Sequence, residues 1–155
     1  MVLSAFSDNT NNSFLKTKIP RIELELNTGW YFLAQLRPHI NINDNLFISF
    51  HASKGIKISE IGFSTGYQFQ YSKKGRLQFG AGYAHVINAP ILPIFADPDE
   101  EPKYWDGFKI ELNLIQYFIR NKFGMNAGFN MTDSSIKTYR GKIYPDINLG
   151  FIFGF

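Results

Sequence analysis

The stretch "NLGFIFGF", Asn148–Phe155, decides how this chain is read. Successive side chains of a strand point to opposite faces. Leu149, Phe151, Phe153 and Phe155 therefore share one face, while Asn148, Gly150 and Gly154 share the other, with Ile152 the exception. A strand at the edge of a water-soluble sheet would cover such an aromatic face or interrupt it with charge. The alternative surrounding for that face is lipid.

Working backwards, the same alternation recurs. In "KFGMNAGFNM", Phe123, Met125, Ala127, Phe129 and Met131 oppose Gly124, Asn126, Gly128 and Asn130. A tight turn at Arg120-Asn121 joins it to Phe108–Phe118, where Phe108, Ile110, Leu112 and Leu114 oppose Lys109, Glu111 and Asn113, so the pair reads as a hairpin. Arg76–Ile87 and Ile61–Tyr71 meet at "SKKG", with Leu77, Phe79, Ala81 and Tyr83 matching Ile61, Phe63, Thr65, Tyr67 and Phe69 as outer faces. Their opposite faces carry Gly, Gln and Ser. Asn45–Ser53 precedes the short "KGIK" connection, and "NIND" leads back to Trp30–Ile40. Lys18–Leu26 alternates Ile22, Leu24 and Leu26 against Arg21, Glu23 and Glu25, and Asn27-Thr28-Gly29 suits a hairpin turn.

Two longer connections complete the chain: Thr132–Gly141, and Asn88–Trp105 with its four prolines and acidic cluster. The segments make eight strands, all joinable as antiparallel neighbours. If Phe155 marks the periplasmic side, "NIND", "SKKG" and "RN" are short turns there and the long loops lie outside, the asymmetry of bacterial outer-membrane barrels. The expected fold is all-β, an eight-stranded antiparallel up-and-down transmembrane β-barrel over 18–155.

Composition agrees with this. The 155 residues suit one domain, and an aromatic share of 17%, with 16 Phe and 8 Tyr, favours strands. No run approaches the roughly 18 apolar residues of a membrane helix. The mean hydropathy of -0.16 does not exclude a barrel, because lipid-facing and lumen-facing residues cancel. The absence of Cys excludes thiol catalysis and thiolate metal sites. A net charge of +3 comes from basic residues scattered among acids, which argues against nucleic acid as a partner. Residues 1–17 are expected to be a flexible N-terminus. There "VLSAFS", before the polar "DNTNNS", fits the last part of a truncated signal peptide as well as it fits an ordinary start.

These features resemble the small eight-stranded outer-membrane proteins of the OmpA transmembrane-domain and OmpX type. The most specific element is the terminal strand "INLGFIFGF". The resemblance implies that Phe151, Phe153 and Phe155 are the signal read by the barrel-assembly machinery. It implies no activity.

A barrel of eight strands is filled by side chains. Glu23, Glu25, Gln35, Arg37, Glu60, Gln68, Gln70, Lys109 and Glu111 would face that lumen, where buried charges must pair. Glu23 or Glu25 with Arg37, and Glu111 with Lys109 or a cross-strand partner, are the expected pairs. In "FHASKGIKISE", His51, Ser53 and Glu60 could supply base, nucleophile and orienting acid, and they resemble the His-x-Ser and downstream Glu of lipid A deacylase barrels. Lys54 stands where that family has Asn, and the inward parity points away from lipid, so no catalytic residue is favoured. "NTGWYFLAQL" resembles the Gly-x-Trp start of the soluble, ligand-binding lipocalin barrels, although Gly29 and Trp30 are adjacent here. His39, His51 and His85 are too far apart for a metal site, and "DPDEE" lacks the spacing of a calcium loop, so no metal or cofactor is expected.

The expectation is an outer-membrane barrel with a structural or interaction role. Its partners would be membrane lipid, the assembly machinery, and a membrane or surface protein held by the loop 88–105. In that loop Ile91, Leu92, Ile94, Phe95, Tyr104 and Trp105 are too apolar for a solvated connection.

Overall fold

Alternation of apolar and polar residues becomes a closed barrel in the computed structural model, which describes residues 18–30, 32–55, 58–88, 103–133 and 143–155. The strands are β1 (Ile22–Gly29), β2 (Ala34–Asn41), β3 (Leu46–Lys54), β4 (Ile58–Ser72), β5 (Gly75–Asn88), β6 (Lys103–Ile119), β7 (Phe123–Asp133) and β8 (Ile143–Gly154). Each pairs antiparallel with the next, and β8 returns to β1 through Glu23↔Gly154 to Gly29↔Asn148. No helix occurs among the described residues.

Local chemistry sets the tight turns. In the β2–β3 turn, Asn43 Oδ1 accepts from the backbone N–H groups of Asn45 (2.8 Å) and Leu46 (2.9 Å), the side-chain mimicry that makes Asn a turn residue. In the β6–β7 turn, Asn121 takes a φ of 57°, the left-handed region where Asn is enriched. The termini of the barrel lie at the same end as these turns, the periplasmic end under the membrane orientation.

Several boundaries differ from the sequence-based expectation. β1 begins at Ile22 instead of Lys18, and β2 at Ala34 instead of Trp30. The apolar Phe32 of the intervening loop is buried, whereas Trp30 is 85% exposed. β6 begins at Lys103, so Tyr104 and Trp105 belong to a strand and not to the long loop. The β5–β6 ladder continues through Val86↔Trp105 and Ile87↔Tyr104 to Asn88↔Lys103. Pro102 is the last residue before it without a backbone donor, and nothing after it breaks a strand. Ile91, Leu92, Ile94 and Phe95 lie outside the described residues, as do residues 1–17.

The two faces of the wall sort by polarity. Met125 (40%), Phe129 (41%) and Phe151 (48%) are exposed on the exterior. Phe123 packs beside them, its ring 5.7 Å from Phe151 and 5.4 Å from Phe153. A soluble lipocalin-like barrel would hold these rings inside; here the apolar side is outside and the interior is charged, which does not favour that alternative. Apolar residues inside gather at the ends. Phe32, Ala84 and Val86 are buried near the extracellular end, and Phe47, Ile115, Tyr117 and Ile152 near the periplasmic end.

Two features of the wall position the lumen. The inward face of β4 and β5 is built from small residues, Gly62, Ser64 and Gly66 beside Gly80, Gly82 and Ala84. A Cβ on Gly66 would strike the Phe79 carbonyl, and one on Gly80 would meet the Glu111 side chain at 2.7 Å. Gly80 therefore leaves the space that the Glu111 side chain fills, and Gly66 lets β4 and β5 approach closely. The β2–β3 ladder, by contrast, lapses between Leu36↔Ala52 and His39↔Ser49, where Pro38 brings no N–H.

Candidate functional site: a charged lumen

The interior charges fall into three tiers along the barrel. At the periplasmic tier, Arg76 of β5 pairs with Glu23 of β1, and the Tyr117 hydroxyl donates to the same carboxylate. Asn41 Nδ2 donates to Glu23 at 2.7 Å, Gln68 to Asn41 at 2.9 Å, and Gln78 to Gln68 at 2.9 Å. A chain of amides thus links β1, β2, β4 and β5.

The central tier is organised by Arg37, which is fully buried. Its guanidinium lies 3.5 Å from Glu25 and 3.8 Å from Glu111 and donates to Asn113 and Asn130, both at 3.2 Å. Glu25 is also approached by His39 at 3.1 Å and accepts from Asn126 at 2.8 Å. Glu111 accepts from Ser64 at 2.7 Å, and Ser64 shares a hydrogen bond with Ser49 at 2.6 Å. One side chain on β2 therefore reaches β1, β6 and β7.

At the extracellular tier, Glu60 receives Lys109 at 2.5 Å, His51 at 3.0 Å and Thr132 at 2.9 Å. Gln35 Nε2 donates to the buried Asp146 at 2.5 Å. Among the described residues, Glu23, Glu25, Glu60 and Glu111 each meet a basic side chain across the lumen, as removal from water demands.

Glu23, Glu25, Gln35, Arg37, Glu60, Lys109 and Glu111 all lie in this interior. The pairing differs from the expected one in part: Lys109 goes to Glu60, and Glu111 goes to Arg37. Residues two apart on a strand share a face, but Lys109 reaches through the lumen to Glu60 on β4, two strands away. Arg76 and Tyr117 were not named from sequence as lumen residues, and His39 was weighed only as a metal ligand. Their inward parity on β5, β6 and β2 was the available signal.

His51, Ser53 and Glu60 come together without forming a nucleophilic triad. Ser53 and Glu60 are cross-strand partners and His51 Nε2 is engaged by Glu60, yet no hydrogen bond joins Ser53 to His51 among the described residues. His51 and Ser53 are 4% and 6% exposed and face the lumen, away from the lipid side of the wall. His85 stands apart from both other histidines, on the exterior, 2.8 Å from Asp106.

Compared by sequence, the chain matches no family model and no curated protein. Its structure is similar to the crystal structure of the N-terminal β-barrel domain of Pseudomonas aeruginosa OprF. The TM-score is 0.66 at 16% identity, over 88% of this chain and 100% of that one. It is also similar to the Yersinia pestis outer membrane protein Ail in a phospholipid bilayer nanodisc, with a TM-score of 0.55 at 13% identity over 88% of this chain and 99% of that one. At such identities the likeness is one of fold. With an apolar exterior around a charged, internally paired lumen, the chain shares the closed eight-stranded β-barrel fold of these two outer-membrane proteins.

Proposed function

We propose that this protein is a small, non-conducting outer-membrane barrel with a structural or interaction role, its specificity carried by extracellular loops. One observation carries the non-conducting part: Arg37 crosses the lumen from β2 to Asn113 on β6 and Asn130 on β7 while holding Glu25 and Glu111. A path for solutes would require that set of contacts to open. Purified barrel reconstituted in a planar bilayer is the test. The expected record shows no sustained channel openings, and a long-lived conductance from monodisperse, folded protein would refute the proposal.

The partners follow the surfaces. Lipid meets the exterior apolar face, and the assembly machinery reads Phe151, Phe153 and Phe155. A membrane or surface protein meets the segment with Ile91, Leu92, Ile94 and Phe95, beside Tyr104, which is 61% exposed at the rim of β6. Replacing residues 89–102 with a short turn should abolish a co-purifying partner from native membranes while the barrel still folds. Retention of every partner would leave the role elsewhere.

A further inference from the structure

Charge at the periplasmic rim is nearly of one sign. Lys18, Arg21, Lys73, Lys74, Arg120 and Lys122 are exposed there, against the single acid Asp44 among the described exposed residues of that end. Solvated lysines alone would be unremarkable at a turn. This rim differs because a cavity of about 10 Å³ opens in it, between the β4–β5 turn, the β6–β7 turn and the segment at Ile19 that crosses below the barrel. Lys73, Lys74, Gly75, Arg76, Tyr117 and Asn121 contribute to its lining.

Arg76 supplies the second observation. It is 2% exposed, and its Nη2 is held by Glu23 while its guanidinium lies 5.7 Å from the centre of the Tyr117 ring. Its Nε and Nη1 are buried and have no hydrogen-bond partner. Buried donors without acceptors are costly, and a guanidinium is matched best by a carboxylate or phosphate oxygen. Glu23 already neutralises Arg76 from within. The uncompensated charge comes from Lys73 beside it and from Lys74, whose Nζ donates to the Phe118 carbonyl at 3.0 Å. The cavity has space for about one oxygen-sized atom. A ligand would thus insert a single oxygen and leave the remainder in the surrounding layer.

We propose that this cavity is a phosphate-binding site that takes one non-bridging oxygen of a phosphate group. The expected source is the phosphodiester of a phospholipid in the periplasmic leaflet. Phe69, Tyr71 and Phe118 are exposed on the outer wall beside the same turns, which places the basic rim at the level of the headgroups. The proposal rests on the membrane-barrel reading above.

The test uses the full barrel and two probes. Inorganic phosphate is titrated into the barrel in zwitterionic detergent while amide shifts of Lys74, Gly75 and Asn121 are followed. Separately, phosphatidylglycerol retained by the barrel from mixed phosphatidylglycerol and phosphatidylcholine nanodiscs is measured by native mass spectrometry. Saturable shifts at this turn and selective retention of phosphatidylglycerol are expected. Lys73→Gln with Lys74→Gln should weaken both by about fivefold for each charge removed. Lys54→Gln, at the opposite end, should change neither. Shifts with phosphate but no lipid selectivity would keep the site and assign it to a soluble phosphate. Absence of both in a barrel that still shows heat-modifiable gel mobility would overturn the site while leaving the barrel intact, as would unchanged binding in the double variant. Loss of that mobility in the unmodified protein would instead overturn the barrel reading.

Discussion

Arg37→Ala tests whether the lumen holds the barrel together. The guanidinium is fully buried and compensates Glu25 at 3.5 Å and Glu111 at 3.8 Å. Removing one partner of a buried ion pair costs about 3–5 kcal/mol, mainly because the other charge is left uncompensated. Both carboxylates retain hydrogen bonds, Glu25 from Asn126 and Glu111 from Ser64. The expected loss therefore lies near the lower bound, about 3 kcal/mol. Neutralising Glu111 in the same molecule should return part of it, a coupling of about 1–3 kcal/mol for groups in direct contact. Reversible urea unfolding in phospholipid vesicles, followed by the fluorescence of Trp30 and Trp105, measures both quantities. A single-variant loss below about 1 kcal/mol, or a Glu111→Gln cost that simply adds to that of Arg37→Ala, would refute the claim that these charges are mutually compensating.

Further expectations follow from the outer wall, the small inward face and the extracellular tier. Leu114→Arg, on the exterior near the middle of β6, should destabilise the inserted barrel by about 2–4 kcal/mol in the same unfolding assay, whereas Tyr104→Arg at the rim should cost about 0–1 kcal/mol. Gly80→Val should force the Glu111 side chain aside and cost about 1–3 kcal/mol, as overpacking does, visible as a lower midpoint in urea. Ser53→Ala should leave the lipid A acylation pattern of the host membrane unchanged in mass spectrometry. Loss of an acyl chain with the wild type, abolished by Ser53→Ala and by His51→Ala, would reinstate the hydrolase alternative. Deleting Phe155 should lower the inserted fraction on a heat-modifiability gel without lowering synthesis.

Periodicity carried most of the fold because a barrel wall imposes the same inside-outside rule on every strand. β7 shows it most plainly, since Gly124, Asn126, Gly128 and Asn130 can face only a lumen if Met125 and Phe129 face lipid. Strand ends were harder to place. Tyr104 and Trp105 follow a proline-rich segment and carry apolar side chains, so composition could not distinguish a hydrophobic loop from a strand extended by pairing with β5. Phe32 shows the converse: it sits among strand-like residues, yet it lies between β1 and β2, outside either strand, and is buried. In the lumen, parity indicated which charges are interior but not their partners. Those depend on how strands distant in sequence are staggered around the barrel, as when Lys109 meets Glu60 instead of Glu111. Tyr117 has the inward parity of Lys109 and Glu111, but an aromatic side chain in a membrane strand suggests the exterior, and its partner Glu23 is set by the closure of the barrel.

The unequal strands have a consequence for the membrane itself. β1 and β2 span 8 residues each, while β4 spans 15 and β6 spans 17. With a rise of about 3.4 Å per residue and a tilt near 40°, the wall stands roughly 21 Å high at β1–β2 and roughly 44 Å at β6. The upper end of β6, where Asp106 is exposed, can stand clear of the hydrocarbon layer, but the roughly 21 Å wall at β1–β2 falls short of an apolar band about 25 Å tall. Lipid beside β1–β2 must thin, or the whole barrel must lean toward its short side, at a fraction of a kcal/mol for each ångström of mismatch. Either response gives the protein a preferred orientation relative to its neighbours in the plane of the bilayer, and a bias toward places where that bilayer is already thin.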